Sequence, residues 1–405
     1  MIRLGGDPIT RTAPFILLVL AACSSSSSSS SSGSLPSAAD VLAFSHATNI
    51  VPATVSVNGT VGILGVDTGS PFVVLNPTEF PSAPANDTEG TVGSFSVGST
   101  TLSNTTVISL NTLTSPDPSV PIGGLLGCAV ICNYVASFNY RDAQFTLGAA
   151  TAPTGLGAST MFPFTLQGGG VTQGITVPKS RVVVTVTIEG ASHLMILDTG
   201  ASFVTLRSTV FATVTGDGRP TLPGGMIETA TGSSSSTMAR VRTIAVGGVS
   251  ASNVVVIGDP TTDTLFDTLT AELGQTIDGS LGGTYLRDFY VTIDYPNQQV
   301  SLAPYNDLSW AIDPAERLGI QFGGSASAGY QVAAVVAGSD AAAKGVSVGD
   351  TLLAIDGASL ASLSASQLAA QVSGTVGVAK TVQFGAARSL ANQTVSILVD
   401  QLLAP

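Results

Sequence analysis

Between residues 50 and 303 apolar and polar residues alternate in short runs. Val55 and Val57 share one parity, and Val182, Val184, Val186 and Ile188 share another, with Thr or Ser between them. A period of two is the signature of strands with one buried face. Asn58-Gly59 and Glu189-Gly190 break these runs where hairpin turns are expected. The unbroken apolar runs GILGV (62–66) and LMIL (194–197) read as strands covered on both faces. Helical signals here are brief: Leu125-Leu126-Gly127 and Ser280-Leu281-Gly282 lead into single turns. From Glu316 onward the pattern changes. LGIQF, GYQVAAVV, DTLLAIDG and VSILVD read as strands, with helices predicted near 340–344 and 364–372. Pro304 and Pro314 mark the boundary, and Trp310 within it is expected to pack between domains.

The alternating region repeats itself, which governs how every other signal is read. Residues 51–78 align without gaps on 182–209 at an offset of 131, with 11 identities in 28 positions. Residues 95–108 align on 244–257 at an offset of 149, and 122–147 on 277–302 at 155. Two homologous β lobes related by a pseudo-two-fold axis are the simplest account. The growing offset places 18 extra residues between 207 and 244, and six more between 257 and 277, read as loop differences.

Composition removes several chemistries. Only 10% of residues are charged, Gly numbers 45, and 14 basic against 26 acidic residues leave a net charge of -12. No basic cluster offers a surface for nucleic acid. The three lysines, Lys179, Lys344 and Lys380, sit in no phosphate-binding loop, and neither a C-x-x-C nor an H-E-x-x-H motif provides a zinc site. No G-x-S-x-G elbow is present. Carboxylate or binding chemistry is what remains, with no metal or cofactor required.

Asp67-Thr68-Gly69-Ser70 and Asp198-Thr199-Gly200-Ala201 stand at equivalent points of the repeat, each directly after an apolar strand. If the axis brings the loops together, the two carboxyls cannot both ionise cheaply and share one proton. One is then a base and the other an acid at the same pH, the pairing needed to drive a water onto a peptide carbonyl. The Thr hydroxyls can bond across to the opposite loop, and Gly permits close approach. Ser70 can donate a hydrogen bond favouring an ionised Asp67, which Ala201 cannot do for Asp198, so the shared proton is expected on Asp198.

Two Asp-Thr-Gly loops in register, each paired with an apolar-apolar-Gly segment, resemble the bilobal, retropepsin-like bacterial aspartic proteases over about residues 40–303. The resemblance implies Asp67 and Asp198 as catalytic residues, supported by Thr68, Gly69, Ser70, Thr199, Gly200 and Ala201, and a peptide or unfolded protein as substrate. In that family a hairpin flap closes over the substrate. The stretch from Glu228 to Thr243 resembles one, whereas its lobe-one counterpart, 77–94, is short and Pro-rich. The flap is therefore expected from the second lobe.

The C-terminal block resembles a PDZ domain. Leu318-Gly319-Ile320 is similar to the loop that holds a peptide C-terminus, and 338–357 to the helix-strand core. This implies a C-terminal peptide as ligand, added as a strand beside LGIQF. A fold that only stacks on the protease is the alternative.

At the other end, Arg3 and Arg11 flank the nine-residue apolar run Pro14–Ala22, too short to span a bilayer. Leu20-Ala21-Ala22-Cys23 resembles a bacterial lipobox, and nine serines, Ser24–Ser32, follow as a tether. Cys23 is the expected lipidation site. Cys128 and Cys132 are read either as a disulfide or, preferably, as two small buried thiols. His193 is read as a strand-edge residue. The expectation is a mainly β, monomeric chain: signal peptide 1–22, tether 23–39, protease lobes 40–150 and 151–303, and a small α+β PDZ domain 316–405. It is an exported aspartic endopeptidase lipid-anchored to the outer or inner membrane, facing the periplasm or cell surface. The rival is an inactive protease-fold lipoprotein that binds exported peptides through its cleft and PDZ groove.

Overall fold

A computed structural model describes residues 40–43, 50–111, 122–172, 175–229, 232–307, 315–325, 329–363, 365–385 and 390–403. The residues read as signal peptide and tether, with Cys23, and Trp310 lie outside the described residues. Among the described residues no helix is long and apolar enough to cross a membrane.

The first lobe contains β1 (Pro52–Val57), β2 (Thr60–Val66), β3 (Val73–Leu75), β4 (Glu89–Val97), β5 (Thr100–Ser109) and β6 (Ile122–Leu126). They close into a barrel in the order β1-β2-β6-β3-β5-β4. The alternation in β1 is resolved as expected, with Val55 and Val57 inside. The helix α1 (Cys128–Ile131) and the hairpin β7 (Val135–Asn139) and β8 (Gln144–Leu147) follow.

The second lobe repeats this plan with β9 (Arg181–Ile188), β10 (Ala191–Leu197), β11 (Val204–Leu206), helix α2 (Ser208–Thr215), β12 (Thr221–Thr229), β13 (Gly232–Val246) and β14 (Val249–Gly258). Helix α3 (Asp263–Leu273), β15 (Gly279–Leu281), helix α4 (Gly283–Leu286) and the hairpin β16 (Phe289–Asp294) and β17 (Gln299–Pro304) complete it. The order β9-β10-β15-β11-β14-β13, closed by pairing of β13 with β9, matches the first barrel strand for strand.

The lobes share a sheet. Strand β7 pairs antiparallel with β16, and Ser137 stands opposite Thr292. These residues are 155 apart, the offset of the repeat itself, so the pseudo-two-fold axis passes between them, where their hydroxyls lie 3.2 Å apart. One hydrophobic cluster runs through both barrels and this sheet, from Val51 and Phe95 to Tyr285 and Leu302.

Three expectations change. The excess residues of the second lobe are not loop: they form α2 and β12, and the later six fall where α3 lies. The stretch read as a flap lies in the hairpin β12–β13, in which Thr221 pairs with Ala239 and Thr229 with Gly232, so the hairpin begins earlier than Glu228, with a register shift at Pro223–Gly225. Cys128 and Cys132 are not free thiols but a disulfide, their Cα atoms 4.7 Å apart across the single turn of α1.

The C-terminal block forms one sheet from β18 (Glu316–Leu318), β19 (Ile320–Ser325), β20 (Gly329–Val335), β21 (Thr351–Ile355), β22 (Ala379–Phe384) and β23 (Thr394–Gln401), in the order β18-β23-β22-β21-β20-β19. Its helices are α5 (Asp340–Ala343) and α6 (Ala365–Val372), and Leu368 and Val372 of α6 reach the same core as Leu318 and Ile320. The block is docked on the second lobe. Ala315, Val336, Leu402 and Leu403 pack with Leu222 of β12, Met238 of β13, and Val255 and Ile257 of β14. Arg240, buried at this seam, donates from Nε to the carbonyl of Leu403 at 2.8 Å.

Candidate active site

Each Asp-Thr-Gly loop is held by the strand threaded beside it. The Asp67 N–H donates to the Leu126 carbonyl at 3.1 Å and the Asp198 N–H to the Leu281 carbonyl at 3.2 Å. The glycine after each of these leucines allows the crossing: a Cβ on Gly127 would lie 2.0 Å from the carbonyl oxygen of Phe72, and one on Gly282 2.0 Å from that of Phe203. No other residue fits without moving backbone.

The threonines lock the loops to one another. The Thr68 hydroxyl donates to the Leu197 carbonyl at 2.9 Å and accepts from the Thr199 N–H at 3.0 Å. The Thr199 hydroxyl donates to the Val66 carbonyl at 2.8 Å and accepts from the Thr68 N–H at 3.2 Å. Both threonines are buried, so all four donors are satisfied away from water and the loops cannot separate cheaply.

Above this lock the carboxyls meet. Oδ1 of Asp67 accepts from the Gly69 N–H at 2.7 Å, and Oδ1 of Asp198 from the Gly200 N–H at 3.0 Å. Each glycine also faces the opposite carboxyl: a Cβ on Gly69 would lie 2.8 Å from Asp198 Oδ1, and one on Gly200 2.5 Å from Asp67 Cγ. The two carboxyls are close enough for each to act on the charge of the other. Unlike Thr68 and Thr199, Asp67 and Asp198 are only half-buried.

Burial raises both carboxyl pKa values above the usual range. For Asp67 this is opposed by the Gly69 N–H, the Arg181 guanidinium, the Asp198 carboxyl and the Ser70 N–H. For Asp198 the negative charge of Asp67 adds to burial, against the Gly200 N–H and Arg181. The Ser70 hydroxyl does not supply the asymmetry expected of it: it donates to the Phe72 carbonyl at 3.0 Å, while the Ser70 N–H donates to the Asp67 main-chain carbonyl at 3.2 Å. Ala201 has the same backbone place, its N–H donating to the Asp198 carbonyl at 3.4 Å.

Three further residues bear on the pair. Tyr140 and Tyr295 are equivalent in the repeat and buried, and burial pushes both phenols well above their ordinary pKa, with a smaller push from Asp198 on Tyr140 and from Asp67 on Tyr295. They were visible in the sequence only as an identity at the 155 offset. Arg181 has no such signal, since its lobe-one counterpart is Ile50. His193 lies on β10 with its Nδ1 3.0 Å from Asp278 Oδ2. Among the described residues no group of three or more His, Cys, Asp or Glu is placed to hold a metal.

In the C-terminal sheet, Leu318 ends β18, Ile320 begins β19, and both are buried. Gly319 between them is pressed on Ser339, whose Cβ and Oγ would lie 2.1 Å from an added Cβ. Its carbonyl accepts from the Val336 N–H at 2.9 Å. Strand β19 is the edge of the sheet, pairing among the described strands only with β20.

Residues 184–285 match the aspartyl protease family, and residues 309–385 match the PDZ domain family. The first match covers the second lobe with Asp198; the first lobe is tied to it by the internal repeat. Among solved structures, the aspartic proteinase from Irpex lacteus is similar, at 15% identity and a TM-score of 0.41, over 66% of this chain and 98% of that one. No curated protein sequence matches the chain. The chain carries an aspartyl protease domain and a C-terminal PDZ domain.

Proposed function

We propose that the chain is an aspartic endopeptidase in which Asp67 and Asp198 hydrolyse peptide bonds through a water held between them. The observation that supports this reading is the meeting of two half-buried carboxyls across the pseudo-two-fold axis, each held by the glycine N–H of its own loop. Asp67, ionised, takes a proton from the water as its oxygen attacks the scissile carbonyl carbon. Asp198, protonated, gives its proton to the carbonyl oxygen, so no free oxyanion forms. The C–N bond breaks as Asp67 passes its proton to the leaving nitrogen, while a hydroxyl proton of the tetrahedral centre returns to Asp198. The β12–β13 hairpin supplies the flap that excludes bulk water. The free edge of β19 beside the Leu318-Gly319-Ile320 loop takes a peptide C-terminus. Lipid on Cys23 anchors the exported, monomeric chain to the outer or inner membrane.

The test uses the soluble chain from Gly33, incubated with a denatured protein from acidic to neutral pH, with fragments read by mass spectrometry. Cleavage by the wild type and by neither Asp67→Asn nor Asp198→Asn is the expected result. Absence of cleavage at every pH, with all three proteins folded, would overturn the reading in favour of a protein that only binds peptides.

A further inference from the structure

The ladder that ends at each catalytic loop has a partner residue facing it. Strands β9 and β10 pair Val184 with Met195 and Val183 with Ile196. Continued two residues past these recorded pairs, the register would bring Arg181 level with Asp198. In the first lobe Pro52 pairs with Gly65 and the Val66 N–H donates to the Val51 carbonyl at 2.8 Å, so the same continuation would bring Ile50 level with Asp67. Directly opposed residues on antiparallel strands have Cβ atoms about 5 Å apart on one face of the sheet. On that register a cation accompanies one loop and an apolar residue the other, and the charge of Arg181 acts on both carboxyls.

Arg181 is an unusual neighbour. Its side chain is 7% exposed, and its ion-pair partner, Glu272 at the end of α3, is 10% exposed. The contact is loose: Nη2 and Oε2 lie 3.8 Å apart, and among the described residues neither Arg181 Nε nor Glu272 Oε2 has a hydrogen-bond partner. The other oxygen of Glu272 is engaged, accepting from the Gly169 N–H at 3.0 Å. A buried cation held this loosely by its nearest anion has charge left to share with a second one. The single negative charge of the dyad is that second anion.

We propose that Arg181, anchored by Glu272, is a positioning residue of the dyad: a fixed buried cation that keeps one of the two carboxyls charged. The inference rests on the peptidase reading above. The ionisable groups acting on the dyad from the elements around it are Arg181 on β9, Tyr140 after β7 and Tyr295 after β16, with Glu272 of α3 acting through Arg181. The two phenols are held neutral, so the guanidinium favours the charged dyad against burial.

The experiment is kcat/KM against pH for the wild type, Arg181→Met, Arg181→Lys and Glu272→Gln. Removing the cation moves both limbs of the profile of Arg181→Met to higher pH. The rate at pH 4 relative to that at pH 7 falls about tenfold, as when a carboxyl loses one opposite charge beside it. Arg181→Lys restores most of the wild-type profile. Glu272→Gln moves it the other way, because the field of Arg181 is then uncompensated. Opposite displacements support the proposal, whereas equal losses of rate with an unmoved profile would make the pair a structural anchor and overturn it. If the wild type does not cleave, the peptidase reading fails by itself. The melting temperature of the same four proteins against pH then decides: displacement in opposite directions supports the role of Arg181, and coincident curves refute it. Should Arg181→Met not fold, the direction seen in Glu272→Gln settles the outcome.

Discussion

Ser70 and Ala201 differ by one hydroxyl at equivalent points of the repeat, yet that hydroxyl is spent on the Phe72 carbonyl rather than on a catalytic carboxyl. Ser70→Ala should leave the pH profile of cleavage unchanged while costing about 1 kcal/mol of stability, read by denaturant unfolding. Thr68→Val strikes deeper. It strands the Thr199 N–H and the Leu197 carbonyl in a buried site, and about 2–4 kcal/mol should be lost, with Thr68→Ser recovering most of it. The carboxyls themselves work in the opposite sense to ordinary paired carboxylates. Their folded pKa values are raised, so the protonated pair favours the native state at low pH, and this contribution disappears as pH climbs from the usual carboxylate range through the raised values. Thermal unfolding against pH should therefore show a falling contribution over that window, flattened in Asp198→Asn. An unchanged slope would mean that the two carboxyls titrate as they do in the unfolded chain.

At the level of strands and turns, the arrangement depends on crossings that tolerate no side chain. Gly282→Ala would drive a Cβ into the Phe203 carbonyl, and a loss of about 3 kcal/mol or more is expected, seen as a lowered denaturation midpoint. Much of this layer was legible beforehand. The offset of the repeat, read from identities such as Asp67/Asp198 and Gly59/Gly190, anticipates two matched barrels, and the threonine between Asp and Gly anticipates the cross-bonds. What escaped did so for physical reasons. The hairpin itself was legible over Glu228–Thr243, but its first strand was not, because Pro223 and Gly224-Gly225 interrupt any alternation at its start. Arg181 escaped because its importance comes from register across a ladder and from its contrast with Ile50, and neither is visible along the chain. The bond between Cys128 and Cys132 was one of two readings left open, because C-x-x-x-C on a single turn suits both two buried thiols and a disulfide.

On the scale of the whole molecule, the C-terminal domain is not a free appendage. It covers Leu222, Met238, Val255 and Ile257 at the root of the β12–β13 hairpin. A chain ending at Pro304 would expose that apolar strip, and hydrogen exchange over residues 221–246 should quicken relative to the full chain, while exchange in the first barrel stays as it was. Equal protection in both chains would show that the hairpin does not depend on its neighbour. The same asymmetry reaches the cleft. A peptide laid between two identical halves would meet the same walls whichever end came first. Here one half brings an arch of hairpin and a buried guanidinium, and the other an isoleucine and a short, Pro-rich stretch. If the chain cleaves peptides as proposed, a peptide and its reversed sequence are two different guests for these unequal halves.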